Sequence, residues 1–306
     1  MRLVTRSDFD GLVCGVLLKS AGVVDSFAFV HPKDLQDGLV AVGPKDVLAN
    51  VPYAPGCGMW FDHHSSEFER VGAGIRVEGV VRVAPSCARV IWEYFGGHQR
   101  FSTHFDALLQ AVDKVDSGML SIDDVNNPVG WVLLGFIMDP RTGLSSYQDY
   151  RISGYQLVLQ LIDACAAMSA EEVLALPDMK QRVDRYFSQD RLFRNMLTSC
   201  SRMYGNVLVL DLRDQEELYT GNRFTMYALY PESNVSITVQ WGFRKQRVVL
   251  AVGHSILNRT CKADVGNLML QYGGGGHVRV GTCQTMPEKA DGVLAELIRT
   301  LDETAA

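Results

Sequence analysis

The sequence predicts an α/β protein. A parallel-sheet N-terminal domain is expected over residues 1–150, a helical connector over 151–203, and a smaller α/β C-terminal domain over 204–306. Three observations carry this reading. In the first third, short apolar runs alternate with stretches of helical spacing, the pattern of βαβ units. From Gly154 to Met203 the pattern is mostly helical and richly charged, with a break near Pro177. After Gly205 the chain turns β-rich and closes with a helix from about Glu288 to Leu301.

Met1–Thr5 reads as the first strand, and Gly11–Ala21 as a helix that follows the acidic turn Asp8-Phe9-Asp10-Gly11. Asp25–Val30, Val47–Val51 and Gly58–Phe61 read as further strands, each ending at a polar cluster. Ligands of parallel sheets bind at the carboxyl ends of the strands. Asp8, Asp10, Asn50, Asp62, His63 and His64 all fall at such ends, which locates a site there. Ser86–Phe95 is a predicted helix, started by Pro85-Ser86 and stopped by Gly96-Gly97. Phe105–Lys114 is another. In the last third, Val207–Asp211, Val235–Trp241 and Val248–Val252 read as strands.

The chain has 306 residues, enough for two ordinary cores, and its hydrophobic fraction of 47% is that of a globular protein. A net charge of -6 favours a small anionic substrate or a short single-stranded oligonucleotide over a long nucleic acid gripped by its backbone. No stretch approaches the ~20 apolar residues of a membrane span. With no signal-peptide core at the N-terminus, a cytoplasmic protein without a membrane partner is expected. Seven scattered cysteines without a CxxC pair point to reduced thiols. A homodimer is one assembly the sequence leaves open.

Asp8-Phe9-Asp10-Gly11 places two carboxylates in one strand-to-helix turn, a costly pairing unless a cation neutralises it. Helix capping by Ser7 or Asp8 explains the same residues equally well. Asp62-His63-His64 follows the apolar Met59-Trp60-Phe61, and adjacent histidines beside an acid suit a metal or a phosphate. Histidine with carboxylates favours Mn²⁺, Fe²⁺ or Zn²⁺ over Ca²⁺. Asp113 and Asp116 close a helix and gain interest because the earlier groups need another ligand. Gly273-Gly274-Gly275-Gly276-His277 lies between apolar flanks, so a flexible linker explains it poorly. Its consecutive N–H groups are expected to cradle an anion, with His277, Arg259 and Lys262 completing a phosphate pocket.

Asp8-Phe9-Asp10-Gly11, Asp62-His63-His64 and Gly273–His277, in this order, resemble the DHH/DHHA1 phosphoesterases, the superfamily of RecJ-like and oligoribonuclease-like nucleases and, more distantly, exopolyphosphatases. The resemblance implies a DHH domain, a helical connector and a DHHA1 domain, with the active site in the cleft between domains. It implies a hydrolase of phosphodiester or phosphoanhydride bonds in a short oligonucleotide, dinucleotide or polyphosphate, working with Mn²⁺, Mg²⁺ or another divalent cation. It assigns Asp8 and the motif-two position, Asn50, to one ion, and Asp10, His63 and Asp113 to a second, with Asp116 held in reserve. It makes His64 face the substrate and Asp62 orient His63. Gly274, Gly275, Gly276, His277 and Arg259 would hold the substrate's terminal phosphate. Two departures stand out: the family's N-terminal histidine falls at Arg6 or Val4, and its bridging aspartate falls at Asn50. Arg6 is therefore expected to supply charge in place of an ion, and Asn50 to weaken the first site. The competing reading is a degenerate member that binds a phosphorylated ligand without cleaving it.

Overall fold

The structure, a computed structural model, describes residues 1–64, 67 and 76–303. The chain forms two compact units, residues 1–119 with 127–187, and residues 120–126 with 188–306.

The first unit is built on five parallel strands, β1 (Arg2–Thr5), β2 (Ser26–Phe29), β3 (Asp46–Ala49), β4 (Met59–Asp62) and β5 (Glu78–Val81), in the order β2-β1-β3-β4-β5. All of β3 and β4 is buried, as expected where both faces of a parallel sheet are covered. Successive side chains point to opposite faces. Val4, Leu48 and Trp60 therefore pack with Leu35 and Val51 on one side. Phe61 faces the other way and meets the ring of Tyr94 at 5.0 Å. Complete burial of a side chain such as Phe61 stabilises the fold by about 1.5–3 kcal/mol.

Helix α1 (Phe9–Ser20) starts one residue after Asp8, which caps it by accepting from the Gly11 N–H at 3.0 Å. It is buried from Phe9 to Leu18. After α2 (Pro32–Gln36), helices α3 (Cys87–Tyr94), α4 (Asp106–Asp116), α5 (Ile122–Asn126) and α6 (Gly130–Met138) follow. The Gly154–Met203 stretch forms three helices, α7 (Gly154–Ala167), α8 (Ala170–Ala175) and α9 (Pro177–Cys200). Ser153 and Ser169 each close a capping box at the start of α7 and α8. Helix α9 stops at Cys200, three residues short of the expected end. Ser201–Tyr204 instead forms β6 and pairs antiparallel with β7 (Val207–Asp211) through a turn at Gly205, where φ is +56°.

The second unit carries a mixed six-stranded sheet in the order β10-β11-β9-β8-β7-β6, with β8 (Val235–Trp241), β9 (Val248–His254), β10 (Gly275–His277) and β11 (Val280–Thr285). Its core joins Val209, Ile237, Val239 and Leu250 to Leu297 and Leu301 of the last helix, α12 (Pro287–Glu303). The short helices α10 (Thr225–Leu229) and α11 (Val265–Leu270) belong to this unit, as do α5 and the end of α9. Among the described residues no helix is long and apolar enough to cross a membrane, and all seven cysteines are free thiols.

Candidate active site

Chain order reverses in the first sheet between β1 and β3, the kind of switch point where open α/β sheets bind ligands. Asp8 follows β1 and Asn50 follows β3. Asp62 ends β4, and His63 and His64 come next.

Gly11 shapes the first loop. A Cβ on it would lie 2.0 Å from the Arg6 carbonyl oxygen and 2.8 Å from the Thr5 hydroxyl. The bare glycine lets α1 fold tightly over the loop that carries Arg6 and Asp8. Gly11→Ala is expected to cost about 1–3 kcal/mol, the range for overpacking; an unchanged midpoint in denaturant melts would show that this close approach does not matter.

Asp8 is held three ways. Its Oδ1 accepts from Gly11 N–H and from the Asn50 side-chain amide at 3.1 Å, and its Oδ2 lies 2.9 Å from Arg6 Nε. Asp8 is thus cap and ion-pair partner together, and Arg6 places a positive charge beside it. Asn50 sits at φ 57°, in the left-handed region that asparagine tolerates. Its amide nitrogen faces Asp8, and its Oδ1 is buried without a hydrogen-bond partner.

Asp10 is fixed by the start of another helix. The backbone N–H of Cys87 donates to its Oδ2 and that of Ala88 to its Oδ1, each at 2.9 Å. These are unpaired donors of the first turn of α3, whose positive end favours a carboxylate. Burial pushes the Asp10 pKa up; the neighbouring His63 and the backbone donors oppose the shift, and Asp8 adds to it.

His63 completes the cluster. Its Nδ1 lies 3.2 Å from the Ala84 carbonyl, which only accepts, so Nδ1 carries the proton and Nε2 the lone pair. That Nε2 is buried without a hydrogen-bond partner, 3.7 Å from Asp10 Oδ2 and 3.3 Å from Asp116 Oδ2. A lone pair aimed between two carboxylates is repulsive until a cation enters. Asp10, His63 and Asp116 offer three ligand atoms within 4.8 Å of one another, a set that fits a divalent metal. The pKa of Asp116 is pushed well up by burial and by repulsion from Asp10 and Asp8.

Two expectations are corrected here. Asp113 does not join the cluster. Its Oδ1 accepts from Ser86 Oγ at 2.7 Å and its Oδ2 from Arg89 Nε at 2.8 Å, so α3 has taken this carboxylate for an ion pair. Asp116, one turn further along α4, reaches His63 instead. Asp62 orients His64 rather than His63: its Oδ1 lies 2.7 Å from His64 Nδ1 and accepts from the His63 backbone N–H at 2.8 Å. Asp62, His63 and His64 also bring ligand atoms together, but at 2.7 Å Asp62 and His64 hydrogen-bond each other.

The glycine run differs from its expected form as well. Gly275–His277 is the edge strand β10, paired antiparallel with β11. Successive N–H groups of a strand point to opposite edges, so they do not converge on one anion as a nest does. The Gly274 N–H is already spent on Met269 O at 3.0 Å. A Cβ on Gly274 would meet Thr282 O at 2.1 Å and one on Gly276 would meet Val280 O at 2.2 Å. The glycines therefore permit close packing of the strand. Gly273 and Gly275 have open space around them. His277 ends β10, and Arg259 donates from Nε to Ile256 O at 2.7 Å.

Comparison with known proteins follows this geometry. The chain is similar along its whole length to a pGpG-specific phosphodiesterase, PggH, from Vibrio cholerae, with 46% identity, a TM-score of 0.87 and 99% of each chain covered. It is also similar to RecJ from Thermus thermophilus, solved in complex with Mn²⁺, at 13% identity and a TM-score of 0.52. That match covers 99% of this chain and 52% of RecJ, and at such identity it speaks to the fold alone. No family model and no curated protein matches the chain.

Proposed function

The chain belongs to the DHH family of phosphoesterases, and from that membership we propose that it is a metal-dependent phosphodiesterase that hydrolyses a short phosphorylated substrate such as the dinucleotide pGpG. The observation that carries the reading is the buried, unpartnered Nε2 of His63, set between the carboxylates of Asp10 and Asp116. Its support is the full-length likeness to a phosphodiesterase.

In this reading Asp10, His63 and Asp116 hold one divalent ion. Mn²⁺ suits an imidazole with two carboxylates better than Mg²⁺ does. When bound, the ion supplies charge that neutralises the phosphoryl group and acidifies water. The chain's own groups do the positioning. The α3 N-terminus keeps Asp10 in place, and Ala84 keeps the His63 lone pair turned inward. His64, braced by Asp62, contacts a phosphoryl oxygen. Arg6, beside Asp8, neutralises a further oxygen. The neutral Asn50 leaves the Asp8 side without the anion that would bridge two ions. Phosphoryl transfer depends above all on positioning and charge neutralisation, and these residues supply both.

The test is incubation of the protein with pGpG and Mn²⁺, with nucleotides separated by chromatography. Addition of water across one P–O bond of pGpG yields two molecules of GMP, which is the expected product. A metal-loaded protein that leaves pGpG intact would overturn the reading.

A further inference from the structure

A cavity of about 570 Å³ lies wholly within the first unit. Ser7, which stands between Arg6 and Asp8, lines it. Its apolar lining includes Leu144, Leu157 and Val158, all buried. Its aromatic lining comes from Phe29, Tyr147, Tyr150 and Tyr155. Phe29 and Tyr155 meet edge to face at 5.4 Å, and the Tyr155 hydroxyl is tied to the Phe27 carbonyl at 3.1 Å. These rings are therefore braced and not loose.

Two polar groups stand out. Arg182 is only 5% exposed, and its guanidinium lies 4.0 Å from the centre of the Tyr150 ring. Its Nη1 donates to the Asp178 carbonyl and its Nη2 to the Ile152 carbonyl, each at 2.8 Å. A guanidinium carries five N–H donors, so others are left over. The Tyr150 hydroxyl is buried and has no hydrogen-bond partner. A buried donor left unsatisfied is costly, and a ligand that accepts from it removes that cost. A cavity of this size, apolar and aromatic with a few convergent donors, has the form of a small-molecule site.

We propose that this cavity is a nucleobase subsite, which takes the guanine of a nucleotide whose phosphate lies at Arg6, Asp8 and the metal cluster. The proposal rests on the phosphodiesterase reading above. A base is flat and π-rich, which suits the aromatic walls. Guanine presents two adjacent acceptors, O6 and N7, and these match the two donors, Tyr150 and Arg182. Ser7 lines the cavity and stands in the chain between Arg6 and Asp8, so cavity and phosphate site share the loop after β1.

The test titrates GMP and ribose 5-phosphate, which lacks the base, into the full chain with Mn²⁺ by calorimetry. GMP is expected to bind at least about tenfold tighter than ribose 5-phosphate. Tyr150→Phe removes one hydrogen bond, which is worth roughly tenfold where the partner is buried, and should shrink that ratio accordingly. Tyr155→Ala should shrink it too, and because Tyr155 is half exposed the variant should fold. A ratio near one in the unmodified protein, or a ratio that neither substitution moves, overturns the subsite. The outcome is separate from that of the hydrolysis assay. If pGpG stays intact but GMP binding depends on Tyr150, the subsite stands and the hydrolase reading falls.

Discussion

Replacing His63 with alanine is expected to remove both bound metal and turnover, whereas replacing His64 should remove turnover alone. The two histidines are neighbours in sequence, with ring centres 4.3 Å apart, yet they face different tasks. His63 has Nδ1 committed to Ala84 and Nε2 buried between two carboxylates. Without it the ion loses its only nitrogen donor and keeps two carboxylates that repel each other. Metal affinity should then fall by more than the ~10–100-fold that follows loss of a group one shell out. His64 has its Nδ1 tied to Asp62, and 32% of its side chain is exposed, so it stands at the solvent side of the cluster. Its loss should lower kcat by roughly 10²–10³, the range for one donor to a developing oxyanion, with metal content unchanged. Metal analysis on the two purified variants, beside their kinetics, separates the roles. Equal loss of metal from both would show that His64 is a ligand.

Asp116→Asn and Asp113→Asn should diverge just as sharply. Asp116 lies 3.3 Å from the His63 lone pair, and Asp113 is bound by Arg89 and Ser86. Asp116→Asn should weaken Mn²⁺ binding and turnover together, by one to two orders of magnitude or more. Asp113→Asn should retain the ion and lose stability instead, because it leaves the half-buried Arg89 without its carboxylate, at a cost of about 1–3 kcal/mol. Titration of Mn²⁺ and a denaturant melt on each variant check both halves. Retention of Mn²⁺ by Asp116→Asn with its loss from Asp113→Asn would reverse the assignment.

The architecture was legible because its signals are local. Alternating apolar and helical runs marked β1 to β4 and α1, and Pro85-Ser86 marked the start of α3. Asp10 and His63 could be singled out because each follows the carboxyl end of a strand, and the structure brings them together. The site was not legible where partners come from afar. Nothing near Asp10 announces that Cys87 and Ala88, 77 and 78 positions away, will hold it. Nothing within α4 separates Asp113 from Asp116, since both lie toward one side of a helix; Arg89, on another helix, decides which carboxylate is free for a metal. The glycine run misled for a related reason. Glycines serve equally in an anion nest and in a strand packed against its neighbour, and only the contacts with Thr282 and Val280 distinguish the two.

A single ion is expected at Asp10, His63 and Asp116. Asp8, Asp10 and Asp116 bring three negative charges, Arg6 returns one, and His63 ligates as the neutral base. One divalent ion therefore brings this group to neutrality, and a second would leave it positive in a partly buried setting where the excess is felt strongly. Asp62 stands outside this count: its Oδ1 is engaged by His64 and the backbone, and its Oδ2 is buried without a hydrogen-bond partner. Asn50 turns its amide nitrogen, not an oxygen, toward Asp8. The measurement is metal content of protein loaded with Mn²⁺ and then dialysed, made on the unmodified chain and on Asn50→Asp. One equivalent is expected, rising toward two in Asn50→Asp, where an anion can bridge a second ion. Two tightly held equivalents in the unmodified chain, or none, would contradict it.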